Sequence, residues 1–137
     1  MPSFQNPAYM VTQISRGVKV TVETFYQEEY SNPSSDDYTF AYRITLENNN
    51  SFPVQLLKRH WHIFDSTSQA REVEGEGVAG NQPVIYPGDQ YQYISGCNLA
   101  SEMGKMHGEY LMINTNSKRT FRIHIPEFEM VAPFKMN

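Results

Sequence analysis

Between Thr39 and Glu47 the chain reads TFAYRITLE, so that Phe40, Tyr42, Ile44 and Leu46 alternate with Thr39, Ala41, Arg43, Thr45 and Glu47. Successive side chains of an extended strand point to opposite faces, so this run buries one face and shows the other to water. A helix would scatter the same residues around its circumference. Val18, Val20 and Val22 repeat the pattern against Lys19, Thr21 and Glu23. No window carries a sustained apolar repeat at three- and four-residue spacing, which restricts the chain to pairing strands.

The remaining segments follow from this. Val54 to Asp65 forms a third strand with a bulge or bend before Lys58, and Ala70 to Glu76 a fourth, edge-like one. Val84 and Ile85 make a short pairing, and Gln90 to Leu99 places Tyr91 and Tyr93 on one face with Ile94 on the other. Glu109 to Asn114 and Thr120 to Ile125 form a hairpin across Thr115 to Arg119, and Pro126 closes the second of these strands. Glu28 to Asp37, Asn48 to Ser51, Ser66 to Gln69 and Ser101 to Gly108 carry turn chemistry. About seven or eight short strands at regular spacing predict an all-β, antiparallel β-sandwich of immunoglobulin-like form. With no cysteine pair, the fibronectin type III branch fits best, and Trp61 is the expected plug between the sheets. One domain is expected over 1–137, with a core of about 11–128, a loose arm over 1–10 containing Pro2 and Pro7, and a tail ending beyond Phe134.

Charge and cysteine usage bound the function. The 11 Lys and Arg face 15 Asp and Glu, giving a net charge of −4 with no basic stripe, so nucleic acid is not expected as a principal partner. Cys97 stands alone, which forbids an intrachain disulfide and suits a reducing compartment. No apolar run approaches the roughly 18 residues needed to cross a bilayer, and the N-terminus lacks a signal-peptide pattern. The expectation is a cytoplasmic protein without membrane insertion, and the sequence sets no oligomeric state. A transporter in its own right is excluded.

Gly75, Gly77 and Gly80 stand in GxGxxG spacing within GEGVAG. In a dinucleotide-binding fold such glycines open a helix onto a pyrophosphate. Pro83 and Pro87 follow here and forbid that helix. Two readings remain. Successive amides form an anion-binding nest, with Arg59 or Arg71 as the nearby cation, or the glycines supply positive φ at a sheet corner.

His60 and His62 lie two apart in one strand and share a face, a spacing suited to two transition-metal ligands. His107, His124, Cys97 and the Glu72, Glu74, Glu76 row are further donors if folding brings them near. The alternative is a half-exposed histidine pair beside a solvated acidic edge. Ser95 and Cys97 lie in no nucleophile motif, so no catalytic residue is assigned and no cofactor is expected. Tyr86, Tyr91 and Tyr93 suggest either an exposed aromatic patch or cross-strand packing.

The blocks RHWHIFD, EVEGEGVAGNQPVIYPGDQYQYISG, MHGEYLMI and IPEF, in that order and spacing, resemble the ApaG family from about Val18 to Phe128. The resemblance implies a fibronectin type III-like sandwich of a small bacterial protein, linked to cobalt-resistance and magnesium-efflux phenotypes. It also implies protein binding, since the domain recurs as an accessory module in larger proteins, and it brings no established reaction. The expected function is a non-catalytic, soluble accessory or regulator of divalent cation (Co2+/Mg2+) homeostasis that binds a protein or a small anionic ligand. The alternative is a phosphate- or nucleotide-binding protein using Gly75, Gly77 and Gly80, with a hydrolase ranked behind both.

Overall fold

Alternation along the strands sets the architecture. The computed structural model describes residues 3–4, 9–67 and 69–133. Its strands are β1 Tyr9–Ser15, β2 Val18–Tyr26, β3 Tyr38–Asn48, β4 Val54–Asp65, β5 Ala70–Glu76, β6 Val84–Ile85, β7 Gln90–Leu99, β8 Met103–Asn114 and β9 Thr120–Val131. Two sheets result, one ordered β1-β2-β3-β7 and the other β5-β4-β8-β9, with β6 beside the start of β4. All pairings are antiparallel. The fold is therefore an antiparallel β-sandwich, and no α-helix occurs among the described residues. No helix there is long and apolar enough to cross a membrane.

Burial follows the predicted parity. Val18, Val20 and Val22 of β2 and Phe40, Ile44 and Leu46 of β3 are fully enclosed. They face the second sheet, where Trp61 is 2% exposed. Its ring meets Tyr42 at 5.6 Å and Phe128 at 5.8 Å, edge-on in both cases. Such edge-to-face pairs add about 0.5–1.5 kcal/mol each beyond area burial.

Two bulges reset the alternation. In β4, Val54 and Leu56 are buried before the irregularity, and Trp61 and Ile63 after it. Leu57 is the extra residue, and it moves the inward positions from even to odd numbers. In β9, Ile123 and Ile125 give way to Phe128 and Met130 across Pro126 and Glu127. Pro126 therefore does not close the strand as expected. It has no N–H to give the ladder, and it sits at a bulge, where none is required.

Three further differences from the sequence reading have physical causes. Ser101 to Gly108 is largely strand, because β8 begins at Met103. Gly104, read as a loop residue, lies opposite Asp65 and Met130. A Cβ there would come within 2.6 Å of both a Leu99 methyl and the Phe64 carbonyl, so close approach rather than turning requires the glycine. At the N-terminus β1 starts at Tyr9, and Ser3 N donates to Gln27 Oε1 at 2.7 Å while Phe4 packs edge-on against Phe25. The rest of the expected arm, Ser68 of the 66–69 turn, and Phe134 of the tail lie outside the described residues.

Buried polar groups fix the connections. Asn48 is fully enclosed, and its Nδ2 donates to the carbonyls of Phe52 and Ile85, both at 2.9 Å. Its Oδ1 accepts from Asn50 N. Replacing Asn48 by Ala strands those carbonyls and should lower stability by about 2–4 kcal/mol in urea denaturation.

Asp65, at the end of β4, accepts from Ala100 N at 2.6 Å, Thr67 N at 3.2 Å and the Ser101 hydroxyl. Burial pushes its carboxyl up, but the bonds from Ser101, Ala100 and Thr67 outweigh burial and hold it below the usual value of 3.8. Its stabilising contribution is thus complete above the unfolded-state value and fades as pH falls through the lowered native one. The stability gap between the native chain and Asp65→Asn should therefore be widest near neutrality and shrink below pH about 4.

Candidate functional site

The glycine stretch begins where β4 bulges. The carbonyl of Leu57 accepts from Gly77 N at 2.8 Å and from Gln82 Nε2 at 2.9 Å, so the loop is seated on the bulge itself. Val78 and Asn81 exchange both backbone hydrogen bonds, at 2.8 and 2.9 Å, around Ala79 and Gly80. Those central residues have φ of 49° and 80°, the two positive angles of a tight two-residue hairpin turn. Val78 is fully enclosed and anchors the turn to the core.

Gly77 and Gly80 each have a backbone reason, whereas Gly75 faces a side chain. Gly77 has φ 62°, and a Cβ on it would fall 2.1 Å from the Asn81 carbonyl oxygen. Gly80 needs only its positive φ, since nothing lies within 4 Å. At Gly75 a Cβ would meet the Arg59 guanidinium at 2.7–2.8 Å. The chain continues into β6 and β7, not into a helix.

Both candidate cations are turned toward the protein. Arg59 Nη1 donates to the carbonyls of Glu76 at 3.0 Å and Gly77 at 2.9 Å. Arg71 Nη2 donates to Asn98 O at 2.7 Å and approaches Cys97 Sγ at 3.5 Å, tying β5 of one sheet to β7 of the other. On the opposite margin the sandwich is joined where His124 N donates to Ser15 Oγ at 2.9 Å, linking β9 to β1.

Phenols and a thiol line the interior behind Arg59. Burial raises the Tyr42 phenol, with a hydrogen bond from Ser95 and the charge of Arg59 acting against it. Tyr93 and Tyr110 share a short hydroxyl–hydroxyl hydrogen bond, and burial holds both far above the ordinary phenol range. The Cys97 thiol is likewise pushed up by burial, with Arg71 opposing, which makes it a poorer nucleophile. Of the two readings of Tyr86, Tyr91 and Tyr93, the exposed three-tyrosine patch does not form. Tyr93 is buried, Tyr91 packs against the core, and Tyr86 is 58% exposed.

The outer face of the β5-β4-β8-β9 sheet assembles the histidines. The β4–β5 register sets Glu74 opposite His60 and Glu72 opposite His62. Glu72 Oε1 lies 3.3 Å from His60 Nε2 and 3.2 Å from His62 Nδ1, while Glu74 Oε1 lies 3.3 Å from His60 Nδ1. From β8, His107 stacks on His62 at 4.9 Å between ring centres. Of the other donors considered, Cys97, His124 and Glu76 do not join this group, and only His60, His62 and Glu72 bring ligand atoms close enough to share an ion among the described residues. A depression of about 360 Å³ beside it is lined by Lys58, Arg59, Glu74, Gly75, Glu109 and Arg122 among others. Glu109, opposite His60 on β8, was not among the sequence candidates, because only the β4–β8 register places it there.

Two antiparallel sheets, ordered β1-β2-β3-β7 and β5-β4-β8-β9, form a sandwich of the fibronectin type III-like kind. Similarity to known proteins narrows this. A family model for the ApaG domain matches residues 28–114. Protein ApaG of Brucella canis is 45% identical over 124 residues, covering 90% of this chain and 95% of the relative. Protein ApaG of Agrobacterium fabrum is 42% identical over the same length. A solved structure from Bordetella pertussis superposes with a TM-score of 0.82 at 38% identity, covering 86% of this chain and 95% of that one. The chain belongs to the ApaG family.

The glycines' separate roles are measurable. Gly80→Ala should cost about 1 kcal/mol, for the left-handed conformation alone. Gly77→Ala adds a backbone clash and should cost about 1–3 kcal/mol more in chemical denaturation.

Proposed function

We propose that the protein is a non-catalytic ApaG-type binding module that docks a partner protein along the β5 margin. Through that partner it acts as a soluble accessory or regulator in divalent cation (Co2+/Mg2+) homeostasis. The observation that carries this reading is the exposure of β5, which is solvent-facing from Ala70 to Glu74 and again at Glu76. An edge strand offers its backbone N–H and C=O groups to an incoming strand, and its side chains decide which strand is accepted. The Glu72, Glu74 and Glu76 row discourages indiscriminate pairing and favours a partner carrying cationic side chains.

The phosphate reading has weaker support. Arg59 and Arg71 already donate to backbone carbonyls, and the amides of Gly77, Val78 and Asn81 are engaged within the loop and its bulge. An anion would have to displace those bonds.

A photo-crosslinking residue at Glu74 or Glu76, in the native cytosol, should capture one recurrent protein that unlabelled chain competes away. The same residue at Met10, on the far margin, should capture none. Millimolar ATP or pyrophosphate should leave the melting midpoint and the amide signals of Gly75 to Asn81 unchanged. Identical capture from both margins defeats the docking reading, and movement of those amides favours the anion reading instead.

A further inference from the structure

His60 and His62 make three nitrogen–oxygen contacts of 3.2–3.3 Å with Glu72 and Glu74, of which only that of His60 Nε2 with Glu72 Oε1 has hydrogen-bond geometry. A neutral imidazole has one N–H and one lone pair, and a carboxylate only accepts. His60 meets a carboxylate oxygen at each ring nitrogen, and His62 meets one at Nδ1. These contacts are longer than the roughly 2.7–2.9 Å of a charge-assisted hydrogen bond, and they leave room for a metal cation between nitrogen and oxygen.

The spacing suits such a cation. Bonds of about 2.0–2.1 Å at tetrahedral angles place neighbouring ligand atoms about 3.3–3.4 Å apart. Glu72 Oε1 stands 3.3 Å from His60 Nε2 and 3.2 Å from His62 Nδ1. The ligand atoms of His60, His62 and Glu72 all lie within 4.8 Å of one another, so modest side-chain rotation closes the set.

The surroundings match what a metal-bound imidazole uses. A ligating histidine donates its second ring nitrogen to a carboxylate, which fixes the tautomer. Glu74 stands near that position, 3.3 Å from His60 Nδ1, where a proton on Nδ1 would leave Nε2 free to face a metal beside Glu72. His107, stacked within 17° of parallel on His62 and itself stacked on Phe64, holds the second ring in place.

We propose that His60 Nε2, His62 Nδ1 and Glu72 Oε1 bind one late first-row divalent transition metal, with solvent completing the shell and Glu74 as a positioning residue. Two imidazoles and one carboxylate favour Zn2+ and its neighbours over Mg2+ or Ca2+, which prefer oxygen-only shells. The site needs no partner protein, so it stands or falls separately from docking at the β5 margin.

The test uses untagged full-length protein and Zn2+ alone, with Mg2+ as comparator. Calorimetry should give one Zn2+ per chain, and imidazole nitrogen spectra should show His60 bound through Nε2 and His62 through Nδ1. His60→Ala and Glu72→Gln should each weaken binding at least about tenfold, and Glu74→Gln about tenfold, as loss of an outer carboxylate does elsewhere. His124→Gln should change nothing. The nitrogen spectra of the unsubstituted chain keep the test independent of how the variants fold. Unmoved His60 and His62 nitrogens at millimolar Zn2+, equal affinity for Mg2+, or full binding by a His60/His62 double variant overturns the site.

Discussion

The extra residue at Leu57 organises this molecule. It changes the phase of β4, so that Trp61 enters the core while His60 and His62 face water. It also turns out a carbonyl that two donors of the glycine loop meet, Gly77 N and Gln82 Nε2. Core plug, histidine face and glycine hairpin thus share one backbone irregularity. A strand without it would carry Trp61 to the surface and leave the loop without its seat.

The two margins of the sandwich are built differently. On one, β9 of the second sheet packs against β1 of the first, and backbone reaches side chain at Ser15. On the other, β5 and β7 are linked by the long side chain of Arg71. Buried phenols stand behind that second margin, and the charge of Arg59 reaches Tyr42, Tyr93 and Tyr110. The glycine hairpin lies at this more open margin.

Much of this was readable in the sequence, because period-two alternation is a local signal. It placed β4, β5, β6 and β7 with the bounds observed, and the bend before Lys58 as well. Gly104 and Pro126 were misread for the opposite reason. Glycine and proline usually interrupt strands, but here a neighbouring Leu99 requires the one and a bulge tolerates the other. The roles of Arg59 and Arg71 were hidden too, since a guanidinium's partner is a carbonyl far along the chain. The pairing of His60 with Glu74 and of His62 with Glu72 depends on register, which residue spacing alone does not set.

The guanidinium of Arg59 fills the space a side chain at position 75 would occupy. A side chain at 75 and the guanidinium in its present place therefore exclude one another. A lineage that loses the arginine is released from glycine at 75, whereas one that first gains a methyl there must find another donor for the carbonyls of Glu76 and Gly77. Co-variation between 59 and 75 among related chains is the expected historical trace of that shared volume.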